Sequence, residues 1–398
     1  MDKKTTRLYF IDAMRAWAIL MMLQGHFIDG LLDNAFRDNT DLTYNIWKYF
    51  RGITAPVFFT VSGFIFTYLL IRVPQKGFQN PRVSKGIKRG LQLIFIGYLL
   101  RTNLLGIFEG QIYDSFYLVD VLHCIGLSLL GIIGIYLWSN NKSKMLLPVL
   151  LLGVTGLLFL FEPVYKDWSF GFMPQALANF LTKTHGSVFT IIPWFGYTTF
   201  GAFMSVMFTR YKNHNYFYEY AISLSALVGL ILIFLSSDVL VGLSSLTGIT
   251  LFEAIALNNY LFIRLGDVFM VFAVFMIFRR LMTNTTLLKI GQSTLSIYVV
   301  HFVVLYGSFT GLGLYRFFHH ELSPLVAISG AVVFMIVCTY IALQYERKKA
   351  LIKSSITKNI TQGFNTVHSN LLPWYIFTQK LIKGFVSKLL RSFGLIKN

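Results

Sequence analysis

The sequence predicts an all-α, polytopic membrane protein with about ten transmembrane helices and both termini cytoplasmic. Three observations carry that expectation. Hydrophobic residues make up 55% of the 398 and charged residues only 13%, against about 25% charged in an ordinary soluble domain. The apolar residues collect in runs that approach the roughly 20 residues a bilayer core requires. Lysine and arginine are sorted between alternate connecting segments, as orientation during membrane insertion demands.

In chain order the expected spans are 9–28, 52–71, 90–108, 118–138, 145–162, 188–208, 219–236, 261–278, 290–308 and 324–343. The first carries charge in its interior and no small-residue cleavage site follows it, so it reads as a span rather than a signal peptide. The second runs into the basic segment 72–89, and the third ends with Arg101 and Asn103. The fourth opens on Asp120 and His123. The fifth and seventh are the shortest. The eighth opens on Arg264 and Asp267. The ninth carries His301 about 16 Å from its start at Ile290, near the bilayer middle. The tenth ends near Leu343, the one compositional break, which separates a membrane domain, 1–343, from a basic tail, 344–398. Within the tail, LIKGFVSKLLRSF (381–393) sets Leu381, Phe385, Leu389 and Phe393 on one helical face and Lys383, Lys388 and Arg391 opposite, the pattern of a helix lying in the membrane interface.

With the N-terminus cytoplasmic, 26 of the 35 Lys and Arg fall on the cytoplasmic side and eight on the outer side, Arg15 lying within the first span. That asymmetry accounts for the net charge of +18 without a polyanionic partner, so a nucleic-acid function is excluded. Cys124 and Cys338 sit in apolar runs and form no disulfide framework or metal motif. No metal, P-loop or dinucleotide fingerprint is expected, and no feature indicates an oligomer.

The chemistry-bearing stretch is RAWAILMMLQGH, residues 15–26. Eleven residues separate Arg15 from His26, close to three helical turns and a rise of about 16 Å. Both therefore share one stripe with Asp12, three residues before Arg15. A charge at mid-membrane costs about 2.5–3.5 kcal/mol on insertion scales, so three ionisable groups on one stripe mark a functional site. A structural ion pair between Asp12 and Arg15, with His26 at the interface, is the bland alternative.

The Arg-x10-His arrangement resembles the signature of the transmembrane acyltransferase superfamily, which includes acyltransferase-3 and heparan-α-glucosaminide N-acetyltransferase-like proteins. RGITAPVFFTVSG (51–63), KRGLQLIFIGYLLR (88–101), VDVLHCIGL (119–127), IPWFGYTTFGA (192–202) and GQSTLSIYVVH (291–301) resemble bacterial members of the second branch. The resemblance spans about 9–305. It implies a ten-helix acyltransferase core in the cytoplasmic (inner) membrane, cytoplasmic acyl-CoA (acetyl-CoA the expected form) as co-substrate, and an acceptor outside, expected to be an envelope glycan or amino sugar. His123 stands where that branch carries a Gln, which leaves acceptor identity open.

On this reading His26 is the general base, its imidazole titrating near neutrality, with an acyl-imidazole intermediate as the variant route. Arg15, oriented by Asp12, contacts the CoA arm. Lys85, Lys88 and Arg89 are candidates for the CoA phosphates, although positive-inside sorting explains them equally well. Asp120, His123, Arg101 and His301 are candidates for the acceptor side, with Asp120 expected to fix the tautomer of His123, and Thr294, Tyr298 and His301 to share a face. Arg264 and Asp267 are expected to pair locally. Two other functions stay open: a transporter or glycan-lipid translocase without acyl transfer, and a haem electron carrier using His26, His123 and His301.

Overall fold

The computed structural model describes residues 8–140, 142–355 and 379–380. Two units make up the chain, Met1–Leu343 and Gln344–Asn398. In the second, residues 344–355 and 379–380 are helical, and the expected interfacial helix 381–393 lies outside the described residues. No strand is present among the described residues, only two isolated bridges, Leu32 to Leu322 and Asn103 to Phe309.

Among the described residues ten longer helices dominate: α1 (Tyr9–Leu31), α2 (Leu42–Ile71), α3 (Pro81–Arg101), α4 (Val121–Ser139), α5 (Leu146–Leu160), α6 (Ile191–Tyr211), α7 (Phe217–Phe234), α8 (Tyr260–Ile277), α9 (Thr294–Tyr306) and α10 (Pro324–Ser355). Each overlaps one of the ten apolar runs, but six, α2, α4, α6, α7, α8 and α10, are long and apolar enough to cross a membrane. A seventh crossing results if α9 is joined to the preceding helix Thr285–Gln292, from which it bends by 70°. The other three, α1, α3 and α5, fall short of that test for physical reasons. α5 has only 15 residues, α1 carries Asp12, Arg15, Gln24 and His26, and α3 carries four cations in its first nine residues. The protein is a multi-pass membrane protein in which some helices are paid for by packing and not by lipid.

Local chemistry starts and stops these helices. The Asp41 side chain accepts the Tyr44 amide at the start of α2, and Asn80 accepts the Arg82 amide ahead of Pro81, which opens α3. Gly307, at φ 71°, closes α9 in the left-handed conformation that a side chain would resist. α2 and α6 form the tightest crossing. A Cβ on Gly63 would strike the Thr198 carbonyl and one on Gly201 the Thr60 carbonyl, so the two backbones meet directly, as small residues permit between membrane helices. Phe64, Phe208 and Phe272 fill the space beside this crossing.

Contacts gather the connecting segments into two groups. At one end Asp33 N–H donates to Leu322 O and Phe309 N–H to Thr102 O, Arg37 meets His320, and Tyr49 donates to Asp267. At the other, Asn80 donates to Leu70 O, Arg210 to Lys144 O, and Phe10 packs on Phe208. The basic segments 72–89 and 209–218, with Lys144, belong to the second group.

Candidate functional site

The polar stripe of α1 finds its partner on α9, a helix some 280 residues later that runs beside it in the same direction. Near the start of both, an Arg15 guanidinium N–H donates to Thr294 Oγ1 at 3.0 Å. Towards their far ends, His26 Nδ1 lies 3.2 Å from the Tyr306 hydroxyl, and the His26 and His301 rings meet edge-on with centroids 5.3 Å apart. The 70° break before Thr294 makes this possible. It lets α9 begin inside the bundle with its own first turn facing Arg15, instead of continuing the axis of Thr285–Gln292. Gly291 in that preceding helix abuts the Asp12 carbonyl and has no room for a Cβ.

His26 is half-buried and lines two adjoining cavities, of about 600 and about 460 Å³. Arg51 and Tyr298 also line both. The larger cavity has Asp29, Arg101 and Asp120 in its wall. The smaller has Lys48, Arg264, Thr54 and Trp194. The Thr54 hydroxyl and the Trp194 indole N–H are buried without a hydrogen-bond partner among the described residues, which leaves two donors for whatever occupies that space.

The charged groups are braced. Asp29, three residues after His26, accepts from Arg37 at 2.8 Å and from Arg51 at 2.7 Å. Asp120 is gripped by Arg101 through two parallel bonds of 2.6 and 2.8 Å, and Arg101 also donates to Ser115 O at 2.8 Å. Arg264 pairs with Asp267 at 2.9 Å as expected. Tyr49 donates to the same carboxylate at 2.7 Å, while the Arg264 guanidinium lies over its ring. Arg51, Arg101 and Arg264 are thereby held in one orientation at low reorganisation cost.

The expected residues divide into three sets. His26, Arg101 and Asp120 meet at the larger cavity. His123 and His301 are fully buried and line neither cavity. The expected Asp120–His123 carboxylate contact is corrected: the carboxylate belongs to Arg101, and His123 Nδ1 instead accepts the Asp120 backbone N–H at 3.1 Å. A bidentate guanidinium outcompetes a neutral imidazole for a carboxylate. The His123 ring is wedged against Gly97, where a Cβ would lie 2.5 Å from it, and beside Tyr98, with centroids 4.3 Å apart. His301 Nδ1–H donates to Tyr298 O at 2.6 Å and its Nε2 has no partner among the described residues.

The third set lies towards the start of α1. Asp12 is 3.7 Å from Arg15. Lys85, Lys88 and Arg89 are exposed in the first half of α3. Sequence reasoning missed Asp29, Arg51 and Tyr306. Asp29 extends the Asp12–Arg15–His26 stripe by one turn and Arg51 opens the fragment RGITAPVFFTVSG, so both left a signal. Tyr306 left none.

No group of three or more His, Cys, Asp or Glu side chains among the described residues is arranged to hold a metal ion. No curated protein matches the chain. Residues 7–237 match the family described as heparan-alpha-glucosaminide N-acetyltransferase, catalytic, the second of the two branches to which the sequence fragments pointed. With more than half of its length covered, the chain belongs to the heparan-alpha-glucosaminide N-acetyltransferase catalytic family and is a membrane acyltransferase.

Proposed function

We propose that the protein transfers an acyl group, acetyl in the expected case, from cytoplasmic acyl-CoA to an amine or hydroxyl of a cell-envelope glycan, with His26 as general base. The observation that carries this reading is the position of His26 in the wall common to two cavities, its Nδ1 beside the Tyr306 hydroxyl. With Nδ1–H donating to the Tyr306 oxygen, Nε2 keeps its lone pair for the acceptor.

The acceptor sugar seats against Trp194 and Tyr260 in the smaller cavity, where the unpartnered Trp194 N–H and Thr54 hydroxyl bond its oxygens. Nε2 takes the proton as the acceptor nitrogen or oxygen attacks the thioester carbonyl. Arg51, lining both cavities and braced by Asp29, stabilises the oxyanion. Collapse expels the CoA thiolate, which recovers the proton from the imidazolium. The products are acyl-acceptor and free CoA thiol, and His26 returns to its neutral form.

The donor approaches from the end of the bundle that holds Arg15 and Arg89. Positive-inside sorting makes that end cytoplasmic, with both termini inside and the His26 end facing out, in a cytoplasmic (inner) membrane. Arg15, steadied by Asp12 and Thr294, contacts the CoA arm, and Lys85, Lys88 and Arg89 hold its phosphates. The roughly 16 Å between Arg15 and His26 along α1 is then the reach of a slender arm whose nucleotide stays at the membrane surface.

Labelled acetyl-CoA supplied to membranes tests this. Label appears in an envelope component with the wild-type chain and is lost in His26→Ala at unchanged protein level; undiminished labelling in that variant removes His26 from the role. One observation favours a second reading. The 70° break at α9 is the kind of discontinuous helix that transporters use at their binding sites. Substrate crossing the membrane with no CoA released would select that translocase reading instead.

A further inference from the structure

We propose that the cleft between α6, α7 and α8 binds an anionic phospholipid of the bilayer, with a hydrocarbon chain inside and the phosphate held by Lys212 and Arg279. A cavity of about 610 Å³ opens there, on the face where Phe10 packs on Phe208 and away from His26. Its floor is apolar and fully packed: Phe64, Phe208 and Phe272 are buried, at 2%, 6% and 1% exposure. Its lips are not. Tyr211, Tyr220 and Leu224 are 45%, 72% and 62% exposed, so the cleft opens sideways between two helices that are each apolar enough to cross a membrane. A cavity with apolar walls repels water, and left empty it forfeits the dispersion contacts of its whole lining. Bilayer hydrocarbon at its mouth meets both conditions.

The end of the cleft selects the headgroup. The loop from Lys212 to Tyr216 joins α6 to α7 and sets His214 and Asn215 in the cleft wall. Lys212 Nζ lies 5.7 Å from the Tyr68 ring centroid, and the Arg279 guanidinium lies 4.1 Å from that of Tyr218 while donating to Met276 O, a lining residue. Neither cation has a carboxylate within 4.0 Å among the described residues. Glu219, in the first turn of α7, is exposed and pairs with neither. Two cations held on aromatic faces beside an apolar slot match a phosphodiester on a hydrocarbon chain. The end concerned is the basic one, facing the leaflet that carries anionic lipid.

The test uses the purified full chain, stripped of lipid in detergent and titrated with phosphatidylglycerol or phosphatidylcholine, with the unfolding midpoint and native mass spectrometry as readouts. Phosphatidylglycerol raises Tm by about 5 °C at saturation, and its apparent affinity exceeds that of phosphatidylcholine about 10-fold. The double variant Lys212→Ala, Arg279→Ala loses the preference and keeps chain binding. Ala221→Phe, which fills the cleft from α7, loses bound lipid altogether while leaving acyl transfer unchanged. Equal affinity for the two lipids in the wild type overturns the headgroup assignment. Lipid retention undiminished by Ala221→Phe overturns the site.

Discussion

Two cavities of nearly equal volume, about 600 and about 610 Å³, lie in different regions of the same helical unit and share no residue. The first is walled by Asp29, Arg51, Arg101 and Asp120 around His26. The second is walled mostly by Phe, Met and Tyr side chains and has no Lys, Arg, Asp or Glu in its lining. Size does not separate them. What separates them is charge: at the His26 cavity Arg51, Arg101 and Asp120 are each fixed by a bond of 2.8 Å or less, while the cleft lining carries no Lys, Arg, Asp or Glu. The former arrangement suits a transition state that develops charge. The latter suits a molecule that brings its own hydrocarbon.

Substitutions sharpen that contrast in a graded series. The largest effect belongs to His26→Ala, which lowers transfer about 1,000-fold, within the usual range for losing a general base; turnover with labelled acetyl-CoA reads it. Next, Arg101→Ala leaves Asp120 without its bidentate partner. Both side chains are only about one-sixth exposed, so stability falls by about 2 kcal/mol, seen as a lower unfolding midpoint, and Asp120→Asn in the same background restores part of the loss. Gly97→Ala drives a Cβ into the His123 ring and costs about 1–3 kcal/mol; a wild-type midpoint would show that this wall yields. Tyr306→Phe removes the hydroxyl beside His26 Nδ1 and slows kcat about 10-fold with KM little changed. On the proposed mechanism, in which the hydroxyl accepts from Nδ1–H, a shift in the pH profile accompanies it. Smallest is Met207→Ala on the cleft wall, which leaves transfer within about twofold. A large loss there would erase the distinction between the two cavities.

Much of the site was legible in α1. Helical spacing alone aligns Asp12, Arg15 and His26 on one stripe, and the stripe faces a partner helix rather than lipid. The same logic extended by three residues reaches Asp29. The depth grouping of Arg101 and Asp120 was readable too, but not the choice Asp120 makes. Local spacing favours His123 three residues away, and the guanidinium 19 residues earlier wins because it offers two charge-assisted bonds. Thr294, Tyr298 and His301 were expected on one face, and Thr294 and His301 do meet the α1 stripe, at Arg15 and at His26. Tyr306 joins them only because α9 starts at a bend and ends at a left-handed glycine.

The sequence by itself determined that this is a helical multi-pass membrane protein and that Asp12, Arg15 and His26 share one stripe of α1. Both follow from sums over short windows: transfer of apolar residues into lipid and the pitch of one helix. Only the tertiary structure decided that His26 stands between two cavities, that α9 supplies Tyr306 and His301 beside it, and that Asp120 serves Arg101. Those outcomes depend on how closely helices distant in sequence approach and at what angle. Close packing at Gly63, Gly201 and Gly291 sets that approach, and no short window contains it.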